Sequence, residues 1–109
     1  MLKVKVDTKN YTVTMRGHAD FAENGKDIVC AGASTLLYTL ANTLEEFRTA
    51  MTESPLFTIS GEGEKQRVTY RCKPNEEYEP NVQLVFMTVT TGFNLLAEKY
   101  PDNIKLTVV

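Results

Sequence analysis

The stretch that decides how this chain folds reads GHADFAENGKDIVCAGAS and covers residues 17–34. The alternation of apolar and polar residues stops at its first glycine, and an apolar pattern with helical spacing starts near its end. Between the two lies Asn24-Gly25, a dipeptide typical of turns and loops. The stretch therefore predicts a strand that ends near Gly17, then a loop, then a helix that begins close to Cys30.

The same stretch contains the only histidine, His18, and one of the two cysteines, Cys30. A cysteine at the start of a helix lies where the helix dipole and unpaired N–H groups favour an anion, so we expect its thiolate to be stabilised. If the loop folds back, His18 can take the thiol proton and later give it to a leaving amine. A purely structural cysteine is the alternative, because free cysteine is among the most buried residue types.

The segment before the histidine predicts a β-hairpin. Apolar and polar residues alternate from Leu2 to Val6 and again from Tyr11 to Met15, with polar turn residues between the two runs. His18 follows the second run almost directly, so its side chain can stand free of the sheet at the end of a strand.

The segment after the loop predicts an amphipathic helix that continues to Met51, because apolar residues recur at spacings of three and four. Asp27 is a candidate N-cap, since its carboxylate can accept hydrogen bonds from the amides of the first turn. Ser34 comes four residues after Cys30, so the two side chains share one face of the helix.

The rest of the chain predicts two strands, a second helix and a last strand. Alternation marks strands that begin at Phe57 and Val68, a helical pattern ends before Pro101, and a final strand begins at Ile104. The order ββαββαβ predicts one α+β domain over residues 1–109. Its sheet is five-stranded and mainly antiparallel, with both helices packed on one face.

A few apolar residues lie off the main stripes of the two helices. They are Leu36, Leu84, Met87 and Leu95. We interpret them as parts of a wide core face, with a dimer surface as the alternative.

Composition and charge limit the possible partners. An apolar fraction of 42% and a charged fraction of 24% are typical of a soluble globular domain. No leader or membrane span is evident, which predicts a cytoplasmic protein with no membrane partner. One histidine and two distant cysteines predict neither a disulfide nor a metal site, and no cofactor is expected. A net charge of −2 with basic residues scattered along the chain predicts no direct contact with nucleic acid.

The residues of the opening stretch resemble the signature of the ribosomal-processing cysteine proteases of bacteria. In that family a G-H-A motif is followed by a short glycine-containing loop and then by D-I-V-C-A, two small residues and serine. Gly17-His18-Ala19 and the run from Asp27 to Ser34 fill all of these positions. Length and order of elements are also similar, so the resemblance covers essentially the whole chain.

The resemblance implies a cysteine endopeptidase that removes a short N-terminal extension from a large-subunit ribosomal protein, cutting after an aromatic pair. It implies Cys30 as nucleophile, His18 as general base and then acid, and a homodimer. We interpret Asp27 as orienting His18, capping the helix, or both, and Ser34 as bonding within the site or to a backbone carbonyl. Backbone N–H groups at the helix start, including that of Cys30, are the candidate donors for the oxyanion.

The loop between the two catalytic candidates predicts a gate. Asn24, Gly25 and Lys26 are expected to form a mobile segment that covers the empty site until a docked peptide displaces it. Two other classes of function stay open at this point. One is a non-catalytic ribosome-assembly or binding module, and the other is a redox-sensing thiol protein with the same low-pKa cysteine.

Overall fold

The computed structural model describes residues 1–23 and 26–109, and in them a five-stranded sheet carries two helices on one face. The elements are β1 (Leu2–Asp7), β2 (Thr12–Arg16), α1 (Ile28–Glu45), β3 (Met51–Ser60), β4 (Arg67–Pro74), α2 (Glu79–Lys99) and β5 (Ile104–Val108). The predicted α+β class and the order ββαββαβ are confirmed.

The strands lie in the order β3-β4-β2-β1-β5. The pairs β1–β2, β2–β4 and β3–β4 are antiparallel, and β1 pairs with β5 in parallel. The sheet is therefore mixed but mainly antiparallel, as predicted, and β3 and β5 form its two edges. In the described part of the chain, neither helix is apolar over a length that would cross a bilayer.

The core lies between the sheet and the two helices. Leu2, Val4 and Val6 of β1 are at most 2% exposed, while the alternating Lys3 and Lys5 are exposed. Each large apolar side chain buried in this way contributes about 1.5–3 kcal/mol relative to an exposed one. The helices contribute a matching set of buried residues, Leu37, Leu40, Leu44, Phe86 and Phe93.

The two helices approach each other closely at Gly92 of α2. A Cβ atom at this position would lie 2.5 Å from Cδ2 of Leu36 on α1. A glycine inside a helix costs about 1 kcal/mol relative to alanine, and here it makes room for the leucine of the neighbouring helix.

The predicted end of the first helix is wrong. α1 ends at Glu45, a short 3₁₀ turn covers Arg48–Ala50, and β3 begins at Met51, well before the predicted start at Phe57. Met51 is buried because it pairs with Pro74 of β4, so its apolar character belongs to the sheet. The same spacing also fits the helical period, which is why sequence periodicity extended the helix too far.

Three of the four apolar residues off the helix stripes lie on the surface. Leu84, Met87 and Leu95 are 58%, 60% and 61% exposed, so the interpretation of a wide core face is wrong for them. Leu36 is half-buried and packs against the core. The three exposed residues follow one line along α2, and we call them the α2 stripe.

Candidate active site

A tight turn after β2 places His18 at one end of the sheet. Gly17 has φ +82°, and a Cβ there would lie 2.9 Å from the carbonyl oxygen of Met1, so only glycine fits without strain. Its N–H donates to the carbonyl oxygen of Gln66 at 3.0 Å, which ties the turn to the residue before β4. His18, the next residue, is half-buried.

One carboxylate joins the start of α1 to the loop after the histidine. Oδ1 of Asp27 accepts hydrogen bonds from the N–H groups of Val29 at 3.0 Å and Cys30 at 2.9 Å, so Asp27 is the N-cap of the helix. Its Oδ2 accepts from the N–H groups of Phe21 at 3.0 Å and Ala22 at 3.5 Å.

The protonation of Asp27 follows from these contacts. Burial alone would raise the pKa of Asp27, but hydrogen bonds from the backbone of Cys30, Phe21 and Ala22 outweigh it and lower the pKa. The carboxylate is therefore ionised near neutral pH. Within the part of the chain that the structure describes, the carboxylate accepts hydrogen bonds from backbone amides and from the Cys30 side chain, and none from His18.

The thiol of Cys30 touches the segment that carries the histidine. Cys30 is half-buried in the first turn of α1, and its Sγ accepts a hydrogen bond from the N–H of Ala19 at 3.3 Å. The carbonyl oxygen of Ala19 in turn accepts from Nδ2 of Asn103 at 2.9 Å. The peptide units around His18 are thus held between the helix and the chain that leads into β5.

The electrostatic surroundings of Cys30 differ from the expectation of a stabilised thiolate. Burial raises the pKa of the Cys30 thiol, the negative charges of Asp27 and Asp20 raise it further, and the N–H of Ala19 only partly offsets them. At the helix start, the Asp27 carboxylate accepts hydrogen bonds from the N–H groups of Val29 and Cys30, and its negative charge raises the pKa of the thiol. The N–H of Cys30, expected to face an oxyanion, is likewise engaged with Asp27.

One open cleft brings the predicted site residues together. His18, Asp27, Cys30 and Ser34 all line a cleft of about 710 Å³ between the start of α1 and the sheet. Ser34 is half-buried one helical turn beyond Cys30. A cleft of this size lies within the range of about 300–1,000 Å³ that is typical of ligand sites.

Part of the cleft is lined by residues that sequence reasoning missed. They are Tyr38 of α1, Met15 of β2, Ile59 of β3, Val68 of β4, and Gln66 just before β4. The ring of Tyr38 stacks on Phe57 with centroids 5.4 Å apart. Tyr38 follows Ser34 by four residues, so helical spacing could have placed it in the site. Ile59 and Val68 meet only through the pairing of β3 with β4.

The predicted gate is described only at its last residue. Asn24 and Gly25 lie outside the described residues. Lys26 is exposed, and its Nζ forms an ion pair with Glu23 at 2.9 Å.

A thiol and an imidazole that share a cleft beside a helix start are the groups of a cysteine-dependent acyl-transfer enzyme. The family model described as Cysteine protease Prp matches residues 1–105. The chain belongs to this family and is a cysteine protease.

Relatives are similar in sequence to this chain over nearly its full length. Proteins named ribosomal processing cysteine protease Prp from Staphylococcus aureus and Mycoplasma genitalium are each 31% identical, over 105 and 104 residues. The matches cover 96% and 95% of this chain and 92% of each relative.

Solved structures agree with the fold as well. A crystal structure of the protease Prp from S. aureus with a covalently linked product peptide has a TM-score of 0.75 and 28% identity, and the match covers the whole of both chains. The structure of SMU.848 from Streptococcus mutans has a TM-score of 0.72 and 25% identity, over 99% of this chain and 91% of the other.

Proposed function

We propose that this enzyme removes a short N-terminal extension from a large-subunit ribosomal protein, with Cys30 as nucleophile and His18 as general base and then acid. The observation that carries the proposal is the cleft shared by Cys30 and His18, with the segment of His18 hydrogen-bonded to the thiol through Ala19. The substrate class is supported by the names of the relatives and by the solved S. aureus structures, which hold a product peptide or a substrate peptide.

The chemistry begins with a neutral thiol. Because the pKa of Cys30 is raised, the imidazole of His18 removes the proton as Sγ attacks the scissile carbonyl carbon. The tetrahedral intermediate collapses to a thioester on Cys30, and the amine leaves with the proton from His18. Water then attacks the thioester as His18 takes a proton from it, and the carbon–sulfur bond breaks. His18 returns the proton to the sulfur, which leaves the acid product and the free thiol.

The N–H of Ala19 supports the nucleophile in this sequence. It already donates to Sγ in the free enzyme, and the bond strengthens as charge develops on sulfur, since hydrogen bonds to ionised groups are roughly twice as strong as neutral ones. Asp27 supports the site by holding the loop after His18 against the helix start. Ser34 lines the same cleft one helical turn beyond Cys30 and adds a polar group to its wall.

The loop gate remains part of the proposal. Asn24, Gly25 and Lys26 connect the segment of His18 to the helix of Cys30, so their conformation controls how a peptide reaches both side chains. The supporting contacts lie on either side of them. Phe21 is tied to Asp27 by its N–H, and Lys26 is exposed and pairs with Glu23.

A second copy of the chain is the proposed partner for the α2 stripe. Leu84, Met87 and Leu95 expose more than half of their surface on one side of a helix whose other side is buried. Large apolar residues exposed along one side of a helix are typical of an interface. A homodimer, as the family resemblance implies, would cover it, and work on a ribosomal protein places the dimer in the cytoplasm.

The raised pKa of the Cys30 thiol does not favour the redox-sensor alternative. A sensor cysteine requires a low pKa and free access, whereas burial and the Asp27 carboxylate keep the Cys30 thiol protonated. The peptidase, by contrast, needs deprotonation only during attack.

Hydrolysis of a fluorogenic peptide tests the proposal. The peptide carries an aromatic pair before the scissile bond. Cys30→Ala is expected to lower turnover by about a thousandfold or more. Cys72→Ala is the matched control, because Cys72 is buried on β4 and burial raises its pKa to about 11. A dead Cys72→Ala enzyme beside an active Cys30→Ala enzyme would reverse the assignment.

A further inference from the structure

The sheet face away from the helices carries a row of positive charges. Strand pairing places Lys105 opposite Lys3, Lys3 opposite Arg16, and Arg16 opposite Arg67. These four residues belong to β5, β1, β2 and β4, which are neighbours in the sheet, and all four side chains are exposed. We call them the basic row. Neighbouring strands lie about 4.8 Å apart, so the row is about 14 Å long.

This arrangement of like charges destabilises the sheet. Like charges directly opposite each other on neighbouring strands are destabilising, and the basic row contains three such pairs in succession. Among the described residues, none of the four forms an ion pair. A row of unneutralised charges that lowers stability indicates that an anionic partner compensates it.

Further basic residues around the row add to the positive charge of this sheet face. Arg71 and Lys73 of β4 and Lys5 of β1 lie on the same face, so it holds seven of the chain's twelve basic residues. Of the strand residues on this face only Asp7 and Glu53 are acidic, and Glu53 is paired with Lys73 at 3.0 Å. The acidic excess of the chain lies elsewhere, which explains how a net charge of −2 conceals a basic face.

We propose that the basic row is a docking site for the phosphate backbone of RNA. Phosphates repeat regularly along one strand, so successive groups can pair with a linear array of lysine and arginine side chains. Thr14 and Thr69 lie on the same face beside the row and offer hydroxyl donors. A second copy of this chain does not fit here, because two such faces repel each other.

The residues of the sheet face that carries the basic row determine how it would bind RNA. Its paired strand positions carry no aromatic side chain on which a base could stack. The contacts are therefore to the backbone and independent of sequence, unlike sheet-based modules that stack bases on aromatic residues. The choice of RNA rests on the proposed function, because a protease of a ribosomal protein meets its substrate near ribosomal RNA. The basic row lies on the face opposite the cleft, so RNA and peptide can bind together.

Fluorescence anisotropy with a labelled oligouridylate of about 12 nucleotides tests the proposal. The full-length protein is expected to bind with a Kd on the order of 10⁻⁵ M at about 50 mM salt, and log K should fall against log salt with a slope of about −2.8, for four phosphate contacts on a single strand. Lys3→Gln with Arg67→Gln should weaken binding about tenfold and reduce the slope to about −1.4.

The matched control is Arg48→Gln with Lys99→Gln, which removes the same charge from exposed positions off this face. It should leave Kd within about twofold and the slope unchanged. The melting temperature of Lys3→Gln with Arg67→Gln should not fall, because like-charge pairs are removed. No binding at low salt, equal losses in both double variants, or tighter binding of an oligoglutamate of equal charge would overturn the proposal.

Peptide hydrolysis measured in parallel keeps the two proposals apart. Turnover should be unchanged in both double variants, since none of the four residues lines the cleft. A wild-type protein that binds RNA through the row but does not cleave the peptide would contradict the proposed function and leave the RNA proposal standing. A protein that cleaves the peptide but does not bind RNA would contradict only the RNA proposal.

Discussion

The backbone N–H of Ala19 donates a hydrogen bond to Sγ of Cys30 across 3.3 Å. This contact links the residue after the proposed base directly to the proposed nucleophile. Asp27 adds a second link, because one of its carboxylate oxygens binds the helix start and the other binds the loop at Phe21. The relative position of His18 and Cys30 therefore depends on backbone amides more than on side-chain pairing.

Asp27→Asn should shift the pH profile of Cys30 alkylation by iodoacetamide to lower pH. The thiolate is the reactive form, and burial together with the charges of Asp27 and Asp20 raises its pKa. Removing the charge with the larger effect lowers the pKa of the thiol, so the alkylation rate rises at a lower pH. Asparagine remains a good N-cap, so the helix is retained.

Two controls accompany this measurement. Asp20→Asn should produce a smaller shift in the same direction, because its charge is the weakest of the named causes. Asp102→Asn, exposed and outside the site, should produce none. A shift of the Asp27→Asn profile to higher pH would show that the carboxylate supports the thiolate, contrary to the electrostatics described above.

Gly17→Ala should lower both stability and turnover. Alanine at φ +82° is strained, and its Cβ would lie 2.9 Å from the carbonyl oxygen of Met1. Gly63→Ala is the matched control, since Gly63 has φ +58° and its Cβ would meet nothing within 4 Å. The control should lose about 1 kcal/mol of unfolding free energy. Gly17→Ala should lose more unfolding free energy than the control, measured by urea denaturation. It should also lower kcat, because the turn no longer holds His18 in place. Equal losses of unfolding free energy in the two variants, with full turnover by Gly17→Ala, would show that this turn does not position the base.

Met87→Glu should convert a dimer into a monomer. The substitution places a charge in the middle of the α2 stripe, where burial of an unpaired carboxylate is costly. Sedimentation equilibrium should show half the mass of the wild-type particle. Leu56→Glu is the control, because Leu56 is 52% exposed on β3 and away from α2. A wild-type protein that sediments as a monomer, or a Met87→Glu protein that stays dimeric, contradicts the proposed interface.

Peptide binding should increase the protection of residues 22–26 against hydrogen exchange. The expectation follows from the proposed gate, which a substrate orders as it docks. Gly25→Val should restrict the backbone between Glu23 and Lys26, both of which are exposed, and lower turnover with little change in global stability. Equal protection with and without peptide, beside a fully active Gly25→Val enzyme, would exclude gating by this segment.

Much of the fold follows from local pattern. Alternation located the five strands, and helical spacing located the two helices, because each element buries one face. The start of β3 was misplaced since the burial of Met51 depends on Pro74, its partner in a distant strand. Periodicity within a segment carries no information about such a partner.

The sequence likewise predicted only part of the candidate site. His18, Asp27, Cys30 and Ser34 were predicted from one short motif, and the structure places all four in one cleft. Ile59 and Val68 were missed because only strand register brings them to that cleft. The basic row was missed for the same reason. Lys3, Arg16 and Lys105 are far apart in the chain and become neighbours only through pairing.

Trapping of the acyl intermediate tests the central claim most directly. The enzyme is mixed with the aromatic-pair peptide, quenched in acid at short times, and mapped by mass spectrometry. We expect the N-terminal part of the peptide as a thioester on Cys30, formed in the wild-type and Cys72→Ala proteins and greatly slowed in His18→Ala. Turnover of the peptide with the acyl group on another residue, or with normal acylation in His18→Ala, would contradict the proposed mechanism.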